Sequence, residues 1–172
     1  YKMLYNRREL KDVRKMTDKD YTPGGMTALL DAVGRTIHKM DMVSGIHRKD
    51  KGNKVLFVII TDGEENDSRE YTYADVKKLI KDRQENAGWE FIFLGANIDA
   101  VAAAENLGID RDRAVKYKNT GSGVRANFKA VAELSDSLAK SGRVSDEWKE
   151  TVEKDEDDAA DKQSAAVTLH RR

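Results

Sequence analysis

Val55-Leu56-Phe57-Val58-Ile59-Ile60-Thr61-Asp62-Gly63 is the stretch that decides the fold. Its continuous apolar run, rich in β-branched side chains, reads as a strand. The absence of polar alternation predicts cover on both faces, as in the interior of a parallel sheet. The strand ends at Thr61-Asp62-Gly63, and an acidic loop, Glu64-Glu65-Asn66-Asp67-Ser68, follows it. Further along, Val76, Leu79 and Ile80 share one face of a helix within Tyr73 to Glu85, and Trp89-Glu90-Phe91-Ile92-Phe93-Leu94-Gly95 is a second buried strand. Ala100 to Leu107 reads as a short alanine-rich helix closed by Gly108, and Ala114 to Tyr117 as a third short strand. Val124, Phe128, Val131, Leu134 and Leu138 then mark a last helix. Upstream, Leu29, Leu30, Val33, Ile37 and Met40 recur at helical spacing from about Thr27 to Val43, after the loop Tyr21-Thr22-Pro23-Gly24-Gly25. His47 to Asn53 reads as a connection. This alternation predicts an α/β fold, a doubly wound and mostly parallel sheet flanked by helices with right-handed crossovers. Ligands of such sheets gather at the carboxyl ends of the strands.

The two ends of the chain read differently. Tyr1 to Leu10 alternates apolar and polar residues, which predicts an edge strand or hairpin. From Ser141 the composition changes: Val144, Trp148 and Val152 suit a short amphipathic helix, and Glu153 to Asp161 is an acidic, apolar-poor run expected to be solvated. The expected organisation is therefore a domain over residues 1–140 and a charged tail over 141–172. Of the 172 residues 36% are charged, and 31 basic residues balance 31 acidic ones. That balance argues against a nucleic-acid binder, which carries a basic face, and no apolar run is long enough for a membrane span. With no cysteine, a disulfide scaffold, a thiolate zinc site and a cysteine nucleophile are excluded. The missing cysteines and the absence of a signal-like opening give a cytoplasmic expectation.

Asp62 is the first candidate for chemistry, because it stands where a buried strand empties into a loop. Such a carboxylate suits a hard cation or a ligand, or it holds an Asx-type turn. Thr27 is the second. A hydroxyl there caps the following helix or ligates a cation. Glu64, Glu65 and Asp67 add negative charge, but the loop is no EF-hand, since Asp67 and Tyr73 stand where glycine and glutamate are required. His38 and His47 lack a zinc spacing, and His170 lies near the end of the chain. No Gly-x-Ser-x-Gly elbow or phosphate loop is present, and Gly121-Ser122-Gly123 reads as a helix N-terminus.

Together, Tyr21-Thr22-Pro23-Gly24-Gly25-Met26-Thr27-Ala28-Leu29-Leu30-Asp31-Ala32-Val33, Val58-Ile59-Ile60-Thr61-Asp62-Gly63-Glu64-Glu65-Asn66 and Gly88-Trp89-Glu90-Phe91-Ile92-Phe93-Leu94-Gly95-Ala96-Asn97 resemble the von Willebrand factor type A family. The similarity is to its bacterial and phage intracellular-type members, and it runs from Tyr1 to about Ala139. It implies a metal-ion-dependent adhesion site at the carboxyl edge of the sheet, with Thr27 as the threonine of the second loop and Asp62 as the aspartate of the third. The Asp-x-Ser-x-Ser loop of the family is absent, since Asp136, flanked by Ser135 and Ser137, lies in a late helix. The resemblance therefore implies an N-terminally incomplete domain, short of its first strand and helix. An intact site would hold Mg²⁺, or Mn²⁺ or Ca²⁺. Two protein donors fall far short of the roughly six oxygens magnesium takes, so binding here is expected to be weak or absent.

The implied function is a non-enzymatic interaction module that meets an acidic side chain of a protein partner at Gly25, Thr27, Asp62, Glu64 and Glu65. Two alternatives stand beside it. One is a magnesium-dependent phosphoryl-transfer or hydrolytic enzyme using Asp62, against which Asn97 stands where a second acid would be wanted. The other is a structural component of an assembly, docking through Val144, Trp148 and Val152. The missing strand also implies unpaired sheet edges and a tendency to self-association.

Overall fold

The computed structural model describes residues 1–17, 19–20, 25–44 and 54–154. The loop residues Tyr21 to Gly24, the connection His47 to Asn53, and the chain beyond residue 154, including most of the acidic run and His170, lie outside the described residues. Helix α1 spans Leu29–Ser44, strand β1 Leu56–Thr61, helix α2 Tyr73–Ala87, strand β2 Glu90–Gly95, helix α3 Ala100–Asn106, strand β3 Ala114–Lys116 and helix α4 Gly121–Ser141. The strands form one parallel sheet in the order β1-β2-β3, with Leu56 beside Glu90 and Thr61 beside Gly95. The architecture is α/β with helices on both faces of a small parallel sheet.

Each element starts and stops where local chemistry allows. Thr72 and Asp75 form a capping box at the start of α2, and Gly88 closes that helix in the left-handed region. Asp99 accepts from Ala102 N–H to cap α3, and Thr120 accepts from Gly123 N–H to cap α4. Gly121-Ser122-Gly123 is accordingly the first turn of a helix.

Strand alternation divides the core in two. Phe57, Ile59, Phe91, Phe93 and Ala114 face Leu30, Val33, Ile37, Val76, Ile80, Ala104 and Leu107 of α1, α2 and the α3 region. On the opposite face Leu56, Val58, Ile92, Leu94 and Val115 meet Ala130, Val131 and Leu134 of α4. Val144, Trp148 and Val152 are buried in this second layer. Packing thus continues past residue 140, through a 3₁₀ turn at Asp146–Lys149 and helical residues 150–154. Trp148 Nε1 donates to the carbonyl of Asp112 at 3.2 Å, which ties this segment beneath β3. These three apolar side chains are enclosed by their own domain, so they do not serve as a docking stripe for a partner.

Two further expectations are corrected. The opening residues form no strand; apart from a 3₁₀ turn at Leu10–Asp12 they run irregularly. With no described strand beside them to pair with, their side chains reach α1 instead. Tyr1 hydroxyl lies 3.2 Å from Thr36 Oγ1, Lys39 Nζ donates to Met3 Sδ, and Arg35 stands over the Tyr1 ring. The run Val55 to Ile60 is also not an interior strand among the described residues. Phe91 to Gly95 of β2 are fully enclosed, whereas Leu56, Phe57 and Val58 are half-buried and Ile60 is 45% exposed. Among the described residues β2 has a neighbour on each side and β1 has one.

Candidate functional site

The carboxyl ends of the strands form one edge of the molecule. β1 ends in Thr61 and the exposed Asp62, β2 in Gly95 and Asn97, and β3 runs into Tyr117. Ala96 N–H donates to Thr61 carbonyl at 2.8 Å and Tyr117 N–H to Gly95 carbonyl at 2.9 Å, so the three exits are held in register. Asn97 takes a left-handed φ of 57°, a conformation its short amide side chain tolerates.

The turn after β1 is built by a neighbour of the residue the sequence points to. Thr61 Oγ1 donates to Gly63 carbonyl at 2.9 Å and accepts from Gly63 N–H at 3.4 Å. Asp62 therefore does not hold the turn. Its carboxylate points into solvent without a hydrogen-bond or ion-pair partner among the described residues. Burial, and secondly the charge of Asp62, push the pKa of the Tyr117 hydroxyl upward, which keeps it neutral beside the acid.

Thr27 is brought to this turn from across the sequence. Its N–H donates to Asn66 Oδ1 at 2.7 Å, and Asn66 N–H donates back to Thr27 carbonyl at 3.0 Å. A β-carbon added to Gly63 would stand 3.5 Å from Thr27 Oγ1, so the hydroxyl lies against the Asp62-Gly63 turn. Thr27 does not cap α1. The free N–H groups of that helix are capped from the loop after β1: Leu30 N–H donates to Glu65 Oε2 at 2.9 Å and Asp31 N–H to Ser68 Oγ at 3.0 Å. The sequence pattern around Thr27 resembles a local cap, but the acceptors come from more than 30 residues away.

Glu65 is occupied by this duty. Oε1 accepts from Asp67 N–H at 3.0 Å and Ser68 N–H at 2.7 Å, and Oε2 accepts from Ser68 hydroxyl at 2.8 Å as well as from Leu30. Burial pushes this carboxyl upward, but the bonds from Leu30, Ser68 and Asp67 together outweigh it and hold it below its ordinary value. Asp31 completes the joint. Its carboxylate accepts from the N–H groups of Arg69, Glu70 and Tyr71 at 2.9–3.0 Å. The bond from Arg69 leads in lowering its pKa, burial opposes it, and the bonds from Glu70 and Tyr71 with the nearby Arg35 charge add to the lowering. Asp31 and Asn66 lie within the stretches that carry the resemblance, but nothing in the local sequence marks either as a support of this joint, because their partners stand more than 30 residues away.

Gly25 and Glu64 are both exposed on this face. Between the turn and α3 lies a cleft of about 280 Å³, lined by Leu29, Glu64, Tyr73, Ile98, Asp99 and Leu107 among others. Burial first, then Glu65 and Glu64, raise the Tyr73 hydroxyl, so it stays protonated at the rim.

No family model, curated protein or solved structure matches the chain. Among the described residues no three histidine, aspartate or glutamate side chains converge as a metal site. The oxygen donors left at the turn are one hydroxyl, Thr27, which lies against Gly63, and one exposed carboxylate, Asp62, because Glu65 is engaged with backbone N–H groups. That set does not fit a resident magnesium ion, which needs more fixed oxygens than these two supply.

Proposed function

We propose that the chain is a non-enzymatic protein-interaction module of the von Willebrand factor type A class, with its binding face at the carboxyl end of the sheet. The observation that carries this reading is the joint between the two loops. Thr27, 35 residues upstream of Asp62, is clamped by Asn66 against the turn that presents Asp62. A surface loop held by bonds on both strands of its approach keeps a fixed shape, which lowers the ordering cost of binding. Asp62 and Glu64 are left exposed for a partner, while Glu65 acts as the support beneath them.

The chemistry of the partner follows from the charge. Exposed Asp62 and Glu64 attract a basic side chain directly, and an acidic partner side chain is favoured only if a divalent cation bridges it to Asp62 and Thr27. Isothermal titration with MnCl₂ distinguishes the two modes: a weak or absent heat is expected, and a micromolar constant abolished by Asp62→Ala would restore the cation-bridged mode. The module reading itself is tested by capture on immobilised chain. Retention of a partner by the wild type and its loss from Thr27→Ala and Asp62→Ala is the expected result. Asp62-dependent hydrolysis of p-nitrophenyl phosphate would overturn it.

A further inference from the structure

We infer that the cleft between the turn after β1 and helix α3 receives one basic side chain, arginine or lysine, from a protein partner, with its aliphatic stem on the cleft floor and its cationic head at Glu64 and Asp99. This rests on the reading of the carboxyl-end face as a partner-binding surface, and it names what the partner brings there. The cleft lies over the middle of the sheet. Phe93 of β2 forms part of its floor, and that residue is paired with Ile59 of β1 on one side and Ala114 of β3 on the other.

The floor is apolar, with Leu29, Phe93, Ile98 and Leu107 lining it. One wall is the α3 segment, where Asp99, Ala102, Ala103 and Asn106 stand at three- and four-residue spacing. That face therefore sets two small side chains between two polar ones, and the small ones leave the room. At about 280 Å³ the cleft falls below the roughly 300–1,000 Å³ usual for small-molecule and cofactor pockets. A single long side chain suits it better.

The rim selects the charge of the occupant. Glu64, Glu65 and Asp99 line the cleft, and among the described residues no lysine, arginine or histidine does. Glu65 is taken up by backbone N–H groups, and Asp99 gives Oδ1 to Ala102 N–H at 3.0 Å. Glu64 has no hydrogen bond or ion pair among the described residues. Lys116 borders a neighbouring hollow that Glu64 and Asp99 also line, and it forms an ion pair with neither. A purely apolar occupant would strip water from these carboxylates without replacing it, whereas a cation on an aliphatic stem satisfies both floor and rim. Tyr73 adds to the attraction: burial, then Glu65 and Glu64, keep its hydroxyl protonated, and a tyrosine ring attracts a cation within about 6 Å. The backbone that carries Glu64 is set in advance. Thr61 Oγ1 holds Gly63 on one side of it, and Glu65 is anchored to Leu30 and Ser68 on the other.

Amide-resolved NMR titration of the whole chain with the blocked peptide Gly-Gly-Arg-Gly-Gly tests the inference. Saturable shifts are expected at Ala102, Ala103 and Asn106. The same peptide with citrulline, the uncharged isostere, binds about tenfold more weakly or worse. Glu64→Gln, and Asp99→Asn, which retains a helix-capping side chain, each weaken the arginine peptide about two- to fivefold. Ala102→Trp, at an exposed helical position, fills the cleft and abolishes the shifts at Ala103 and Asn106 with the far-ultraviolet circular dichroism unchanged. No saturable shift, equal binding of the citrulline peptide, or binding indifferent to both Glu64→Gln and Ala102→Trp overturns the inference. The two readings fail separately. A partner lost from Asp62→Ala but retained by Ala102→Trp leaves the binding face standing and strikes the cleft, whereas charge-dependent peptide binding in the cleft of a chain whose capture ignores Thr27→Ala and Asp62→Ala does the reverse.

Discussion

Trp148→Ala is the sharpest test of where the domain ends. The indole is 3% exposed within the layer formed by Val115, Leu134, Val144 and Val152, so truncation to alanine removes nearly all of its packing. Such a change costs about 3–5 kcal/mol once the residual cavity is included. The carbonyl of Asp112 also loses its donor, which adds about 1 kcal/mol. A domain has about 5–15 kcal/mol of stability in total, so a third or more is at stake. With a urea slope of about 2 kcal/mol per molar, the midpoint of unfolding falls by about 2–3 M. Circular dichroism at increasing urea reads this without depending on the fluorescence of the residue being changed. Trp148→Phe keeps an aromatic ring and loses the hydrogen bond and part of the contact area, so it falls between the two, at about 1–2 kcal/mol. A midpoint for Trp148→Ala indistinguishable from the wild type would refute the packing of residues 144–152 into the core.

The pH dependence of stability follows from the joint at α1. Asp31 and Glu65 both ionise more readily folded than unfolded, so their stabilisation is complete above the ordinary carboxylate range near about pH 4. It is lost as the pH falls through their lowered folded values. Thermal melts from neutral to acid pH are expected to show that loss, and Asp31→Asn flattens the acid limb; an unchanged limb would show that the joint does not couple to folding. Gly34→Ala drives a new β-carbon to 2.5 Å from the Tyr71 ring, which lies across α1 at that point. The overlap costs about 1–3 kcal/mol, more than the helix-propensity gain of up to about 1 kcal/mol. In a Tyr71→Ala background the same substitution should become neutral or stabilising by chemical denaturation; a penalty of the same size there would place the strain elsewhere.

Periodicity alone made most of the elements legible. The apolar runs at Leu56 and Phe91 and the helical stripes at Leu30, Val76 and Leu134 lie where strands and helices form, because side-chain spacing is a local property. Turn chemistry was legible too: Gly108 follows α3 in the left-handed region and Gly121-Ser122-Gly123 opens α4, since such ends are marked by local backbone conformation that needs no distant partner.

What needed the tertiary structure is everything that depends on a distant neighbour. An unbroken apolar strand reads the same whether one edge or both are paired, so Val55 to Ile60 alone does not tell an edge from an interior position. The alternation at Tyr1 to Leu10 suits a strand, yet a strand needs a partner, and α1 lies beside it instead. Val144, Trp148 and Val152 look like an isolated amphipathic turn until the floor beneath β3 is in place to receive them. Glu65 and Asp67 are equivalent loop acids in the sequence, but only Glu65 caps α1. Composition, element order and the carboxyl-end location of Asp62 were determined by sequence, through short-range spacing and charge. Which acids hold the loop, which face the solvent and which strand edge lies open were decided by tertiary structure, because hydrogen-bond partners and burial are set by residues 30 or more positions away.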